Sequence, residues 1–194
     1  MKKYLLLIFA VFFIASISAF DWDTNILGYY DFDIQTGNEI PDINNLTGTH
    51  NFTVYNGTNW NSSGILNGCM AFNGTTDESG WALMNDSYDF IYNYSISLWV
   101  YYNKVNPGDV GDIFSRYDGS GQANMRLISR NNEEDVFGRP LEADTTAHDI
   151  FGGAIPVADW HHVVFTANRS HYAIYINRTL KDVATELHNR MRIG

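Results

Sequence analysis

The stretch Ser95-Ile96-Ser97-Leu98-Trp99-Val100-Tyr101-Tyr102 decides the fold. Ile96, Leu98, Val100 and Tyr102 fall on one side of an extended chain, and Ser97, Trp99 and Tyr101 on the other. This is the two-residue period of a strand with one buried face. Working outward, the segments 160–167 and 172–176 repeat the pattern towards the C-terminus. Residues 113–116, 125–129, 68–72 and the aromatic-rich 26–32 extend it towards the N-terminus. Gly-, Asn-, Asp- and Ser-rich connections such as Asp118-Gly119-Ser120-Gly121 separate these runs, and Asn73-Gly74 is a hairpin-type signal. A helical period longer than about ten residues past the N-terminus is expected only near 183–191. The segment 131–156 has no clear period and predicts a short strand at Val136-Phe137 followed by a long loop. Short strands joined by such turns predict an all-β, antiparallel sandwich or barrel, built as one domain over residues 20–194.

Composition agrees with strands and limits function. Of 194 residues, 45% are apolar, 15% aromatic and only 18% charged, so a filled core is available and disorder is disfavoured. The formal charge of −10 would repel a phosphate backbone or an anionic lipid surface, which argues against nucleic-acid partners. A single cysteine, Cys69, excludes an internal disulfide framework and any Cys-rich zinc site.

The first residues follow a different logic. Lys2 and Lys3 precede an apolar run over 5–15 and small residues up to Ala19, the order of a secretory signal peptide cleaved after Ser18 or Ala19. The rival reading, a membrane anchor, needs roughly 20 apolar residues and the run is too short. No later segment has the length to span a membrane, so the mature chain, starting near residue 20, is expected to be secreted or at the cell surface. Asn-x-Ser/Thr occurs at Asn45, Asn51, Asn56, Asn61, Asn73, Asn85, Asn93, Asn168 and Asn177. With 20 Asn and 25 Ser plus Thr, chance gives about 2.6 such triplets, and nine are present. In an exported chain these are acceptors for N-glycans on exposed turns; a turn vocabulary rich in Asn and Thr is the competing explanation.

Five segments, in order, resemble laminin-G-like, concanavalin A-like lectin/glucanase jelly-roll domains. They are Gly28-Tyr29-Tyr30-Asp31-Phe32-Asp33, Ala71-Phe72-Asn73-Gly74, Tyr94–Val100 as Tyr-Ser-Ile-Ser-Leu-Trp-Val, Asp112-Ile113-Phe114-Ser115-Arg116, and Trp160-His161-His162-Val163-Val164-Phe165 with the run 172–177. The resemblance implies a two-sheet antiparallel jelly roll that binds glycans or surface proteins. It also implies a core position for Trp99. Two departures stand out. The penultimate hairpin turn is Asn177-Arg178 where the family has Asn-Gly, so another backbone geometry is expected there, because Arg resists positive φ. The family's closing strand follows an element that Met191-Arg192-Ile193-Gly194 resembles, so the jelly roll is expected to lack its last strand.

Catalytic groups are hard to find. A glycosidase needs two carboxylates flanking the scissile bond. Glu133 and Asp135 would share a strand face but sit beside a turn-like Arg130-Asn131-Asn132, and Asp31 with Asp33 belong to the opening segment. His161 and His162 are neighbours on a strand, project to opposite faces, and so cannot hold one ion together. Cys69 lies in an apolar run and is read as inert. The resemblance implies one Ca2+ near loops at a sheet edge, for which Asp33 and Asp42 are the candidates. For sugar rings the expected chemistry is aromatic stacking. Trp60 and Trp81, in polar Gly/Asn-rich surroundings, are the ligand-binding candidates. The sequence thus predicts a non-catalytic module that binds carbohydrate or surface protein in adhesion. A structural spacer or coat-like sandwich is the alternative, and a glycoside hydrolase the weaker one.

Overall fold

The computed structural model describes residues 26–33, 37–44, 50–72, 80–84, 93–102, 110–117, 123–130, 135–139, 150–168 and 171–185. Residues 1–25, among them the expected signal peptide, together with Glu133, Glu134 and residues 191–194, lie outside them. The strands are β1 (Glu39–Ile40), β2 (Phe52–Tyr55), β3 (Thr58–Asn61), β4 (Cys69–Phe72), β5 (Trp81–Met84), β6 (Tyr94–Tyr101), β7 (Val110–Tyr117), β8 (Ala123–Arg130), β9 (Asp135–Arg139), β10 (Ile150–Ala154), β11 (Trp160–Ala167), β12 (His171–Ile176) and β13 (Thr179–Thr185). Every pairing is antiparallel. No helix among the described residues is long and apolar enough to cross a membrane.

Two four-stranded sheets build the core, one ordered β13-β12-β11-β6 and the other β10-β9-β8-β7. The alternation read from the sequence is what joins them. β11 buries every second residue, His161, Val163, Phe165 and Ala167, and β6 pairs with it over its full length. The inner row sets Val100, Leu98, Ile96 and Tyr94 opposite those four side chains. β12 adds Tyr172, Ile174 and Ile176, and the facing sheet supplies Leu127, Val136 and Ile150. Burying each large aliphatic or aromatic side chain stabilises the fold by about 2 kcal/mol relative to exposure. Where the layers press together, side chain gives way to backbone. A Cβ on Gly138 of β9 would stand 2.5 Å from Phe165 Cε2, and one on Gly152 of β10 would stand 2.8 Å from Ile176 Cδ1. At the margin, the Phe151 N–H donates to Asp182 Oδ2 at 2.9 Å, tying β10 to β13.

The N-terminal part forms a three-stranded sheet β1-β2-β5 and the hairpin β3-β4. Ile40 and Val54 are its buried apolar residues.

Several expectations are corrected here. Residues 26–32 do not form a strand. The Tyr29 N–H donates to the Asp42 carboxylate and its carbonyl accepts from Ile43 N–H, so this segment spends its hydrogen bonds on a turn and not on a ladder. The segment after β9 is not all loop, because β10 pairs with it. Its pattern was hidden by Gly152-Gly153 and a register shift between Phe151 and Gly153, where Gly153 adopts φ +75°. Val183 lies in β13, not in a helix. The Asn177-Arg178 turn does use left-handed backbone, with φ of 50° and 69°. The reason is local: Asn tolerates that region, and its side chain is hydrogen-bonded to β11, which holds the turn in place.

Candidate functional site

The inner rows of β6 and β11 are occupied by the core, so their alternate residues face outward. These are Ser95, Ser97, Trp99 and Tyr101 on β6, paired with Thr166, Val164, His162 and Trp160 on β11. Trp99 is 47% exposed and Tyr101 46% exposed, so Trp99 is not a core residue. The reason is the strand period itself, since Trp99 is out of phase with Leu98 and Val100. The pairing brings four rings together in two adjacent rows. Trp99 meets the His162 ring at 5.0 Å between centroids with a 31° tilt, and Tyr101 meets Trp160 edge-on at 5.5 Å.

A polar frame fixes these rings. Ser97 Oγ and His162 Nε2 are 2.8 Å apart. The backbone of His162 is held on both sides by Asn177, whose Oδ1 accepts its N–H at 2.9 Å and whose own N–H donates to its carbonyl at 2.9 Å. The same Asn177 amide reaches beneath the strand, with Nδ2 3.2 Å from His161 Nδ1, while His161 Nε2 lies 2.8 Å from the Pro156 carbonyl. A carbonyl can only accept, so His161 carries its proton on Nε2 and accepts from Asn177 on Nδ1. His161 is 2% exposed, and His162 points the other way, as neighbours on a strand must. None of the eight outward residues on β6 and β11 is charged.

The residues singled out from the sequence have other partners. Trp60 is 42% exposed, but its Nε1 donates to the Phe32 carbonyl at 2.7 Å and Gly68 packs against it. Trp81 stacks on Tyr55 across β2 and β5, centroids 4.1 Å apart and 12° from parallel, so one indole face is already covered. Trp60 and Trp81 thus brace separate pieces of the N-terminal sheets. Asp33 accepts from Gly68 N–H at 2.9 Å and Asn67 Nδ2 at 2.8 Å, and these bonds hold its carboxyl below the usual carboxylate range. Asp42 is buried and its Oδ1 accepts from the Tyr29 and Asn44 N–H groups. No group of three or more His, Cys, Asp or Glu side chains that could hold a metal lies together among the described residues. Both carboxylates accept backbone hydrogen bonds at turns in the N-terminal part. The Cys69 thiol is half-buried and pushed up by desolvation, in keeping with an inert role.

Of the nine sequons, Asn45, Asn73 and Asn85 lie outside the described residues. Asn56, Asn61 and Asn93 are exposed at strand ends or turns. Asn168 is exposed and accepts from His171 N–H. Asn51 accepts from Asp42 N–H and donates to Glu39, and Asn177 is engaged as described above.

Trp160 and His162 were not among the sequence candidates. The signal that could have found them is Ser97: a small polar residue on the same face as Trp99 and Tyr101 marks that face as the wet one.

An all-β sandwich with this strand pattern now has a class. Residues 73–190, more than half of the chain, match the concanavalin A-like lectin/glucanases superfamily, and the chain belongs to it. Among solved structures it is similar to domain 4 of AbnA, a GH43 extracellular arabinanase from Geobacillus stearothermophilus, determined in complex with arabinotriose. The TM-score is 0.50 at 19% identity, covering 86% of this chain and 73% of that one. At that identity the likeness bears on the fold. No curated protein matches the chain.

Proposed function

We propose that this protein is an exported, non-catalytic carbohydrate-binding module, acting in adhesion, that takes sugar rings on the outer face of β6 and β11. The observation that carries the reading is the quartet Trp99, Tyr101, Trp160 and His162, with Trp99 and Tyr101 about half exposed. A sugar ring has an apolar C–H face and a polar rim, and a flat aromatic side chain is its natural partner. Trp99 and Tyr101 stand two residues apart on one strand, roughly 6.7 Å, which offers two stacking positions in a line. The complex of the similar arabinanase domain with arabinotriose supports the same ligand class. A hydrolase would need a pair of carboxylates at the sugar, and the outward rows of β6 and β11 hold none. Export rests on the N-terminal pattern of charged, apolar and small residues.

The test is a panel of soluble polysaccharides and oligosaccharides, including arabinotriose, with Trp99→Ala alongside the natural protein. Stacking on one ring is worth about 1–3 kcal/mol by analogy with bases on aromatic platforms, so Trp99→Ala should weaken binding by about 5- to 150-fold. Retained affinity in Trp99→Ala, or a panel on which the natural protein binds nothing, removes the proposal.

A further inference from the structure

We infer that Ser97 and His162 form the hydroxyl-reading element of this face and set which sugars it accepts, an inference that rests on the carbohydrate reading above. Stacking alone is tolerant, because every sugar offers an apolar face. Discrimination between epimers needs a hydrogen-bonding group held at a fixed place on the rim of the stacked ring. Ser97 precedes Trp99 by two residues on the same exposed row, and its Oγ lies 2.8 Å from His162 Nε2. His162 in turn lies against the Trp99 ring at 5.0 Å. The pair therefore borders the indole on two sides.

The pair is also immobilised from behind. Asn177 holds the His162 N–H and carbonyl at 2.9 Å each, from a turn whose two residues both adopt positive φ. With its backbone clamped and its ring against Trp99, His162 fixes the direction in which the Ser97 hydroxyl uses one of its bonds. A serine hydroxyl has one donor and two acceptor positions. The bond to His162 uses one, and because Ser97 is exposed on the row that carries the indole, what remains is open to the hydroxyls of a sugar stacked there. Val164, the register partner of Ser97, is apolar and cannot take over this role. His162 is thus a positioning residue, and Ser97 is the group that touches ligand.

Two variants test this, with affinities measured for arabino-, xylo- and cello-oligosaccharides. Ser97→Ala should weaken the best-bound probe by about 3- to 10-fold, the usual effect of one neutral hydrogen bond. It should also flatten the ranking among the three sugars, which a general loosening of the face would not do. His162→Phe keeps a ring against Trp99 and removes Nε2, so it should flatten the ranking similarly. The double variant should lose no more than either single one. If Trp99→Ala loses binding while Ser97→Ala and His162→Phe keep the natural affinity and ranking, the inference is wrong and the carbohydrate reading survives. If Trp99→Ala binds as the natural protein does, both fall together.

Discussion

Gly138→Ala tests whether the two large sheets are pressed together as described. A methyl at this position would stand 2.5 Å from Phe165 Cε2, 2.6 Å from Cδ2 and 3.5 Å from Ile150 Cγ1. Ordinary carbon contacts are about 3.5–4.0 Å, so the Phe165 ring or the sheet must move by about 1 Å. The ring has little room to move. Phe165 is fully buried, lies parallel to Tyr172 at 6.5 Å, and meets Tyr94 at 6.1 Å. Overpacking of this kind costs about 1–3 kcal/mol, partly offset by about 0.4–1 kcal/mol from a less flexible unfolded chain. A net loss of roughly 1–2 kcal/mol should lower Tm by about 2–8 °C in a chain of this size. Phe165→Leu alone should also destabilise, by opening a cavity, but in the double variant the new methyl occupies part of that space. The thermal melts of the four proteins form a double-mutant cycle whose coupling should be favourable by about 1 kcal/mol or more. Simple additivity, or an unchanged Tm for Gly138→Ala, would refute the packing of β9 on β11.

The turn beneath Trp60 should respond to acid. Asp33 is held below the ordinary carboxylate value of 3.8 by the Gly68 N–H first and by Asn67 second. A lowered folded value means that its contribution is present above the unfolded value and disappears as pH falls through the folded one. Asp33→Asn should therefore have a slightly lower Tm than the natural protein near neutrality, and the gap should close below the ordinary carboxylate value. A gap independent of pH would show that the charge plays no part. When the chain is made in a host with N-glycosylation, Asn56, Asn61 and Asn93 should carry glycans, because they are exposed. Asn51 and Asn177 should not, because both ends of each amide are already hydrogen-bonded. Peptide mass spectrometry before and after enzymatic deglycosylation reads this directly, and full occupancy at Asn177 in folded protein would contradict the bond to His161.

How far the sequence can be read follows from which interactions are local. β6 and β11 were legible because one buried face imposes a two-residue period that survives in a single strand. β10 was not, because its two glycines and bulge erase the period. The β3 strand, Thr58-Asn59-Trp60-Asn61, carries no alternation because three of its four residues are exposed. Conversely, Tyr29-Tyr30 looks strand-like, yet its hydrogen bonds go to Asp42 and His50 across 13 and 20 residues, which no local pattern encodes. The site divides in the same way. That Trp99 and Tyr101 share a face was evident from spacing, and the same spacing set Trp99 opposite Leu98, against the core position that the family resemblance implied. That His162 would lie against Trp99, and that Asn177 would clamp it, depends on the register of three strands and could be read from none of them alone.

The outer face of β6 and β11 is more than a decorated sheet surface. Cross-strand aromatic pairs are worth about 0.2–1 kcal/mol each, so the two ring pairs give some stability in place. Threonine or valine would pair nearly as well on a half-exposed sheet without leaving large apolar rings in water. β6 also ends the order of its sheet among the described residues, a position that natural proteins usually protect with charge, since open strand edges invite aggregation. Here the outward residues of that strand are Ser95, Ser97, Trp99 and Tyr101, with no charge among them. An uncharged aromatic row on an exposed sheet face is a liability unless something covers it. A net charge of −10 would oppose an acidic polymer, whereas a neutral saccharide meets no electrostatic barrier at this face. Exposed rings, a fixed hydroxyl and absent charge are the features on which the proposed binding of a neutral glycan along β6 rests.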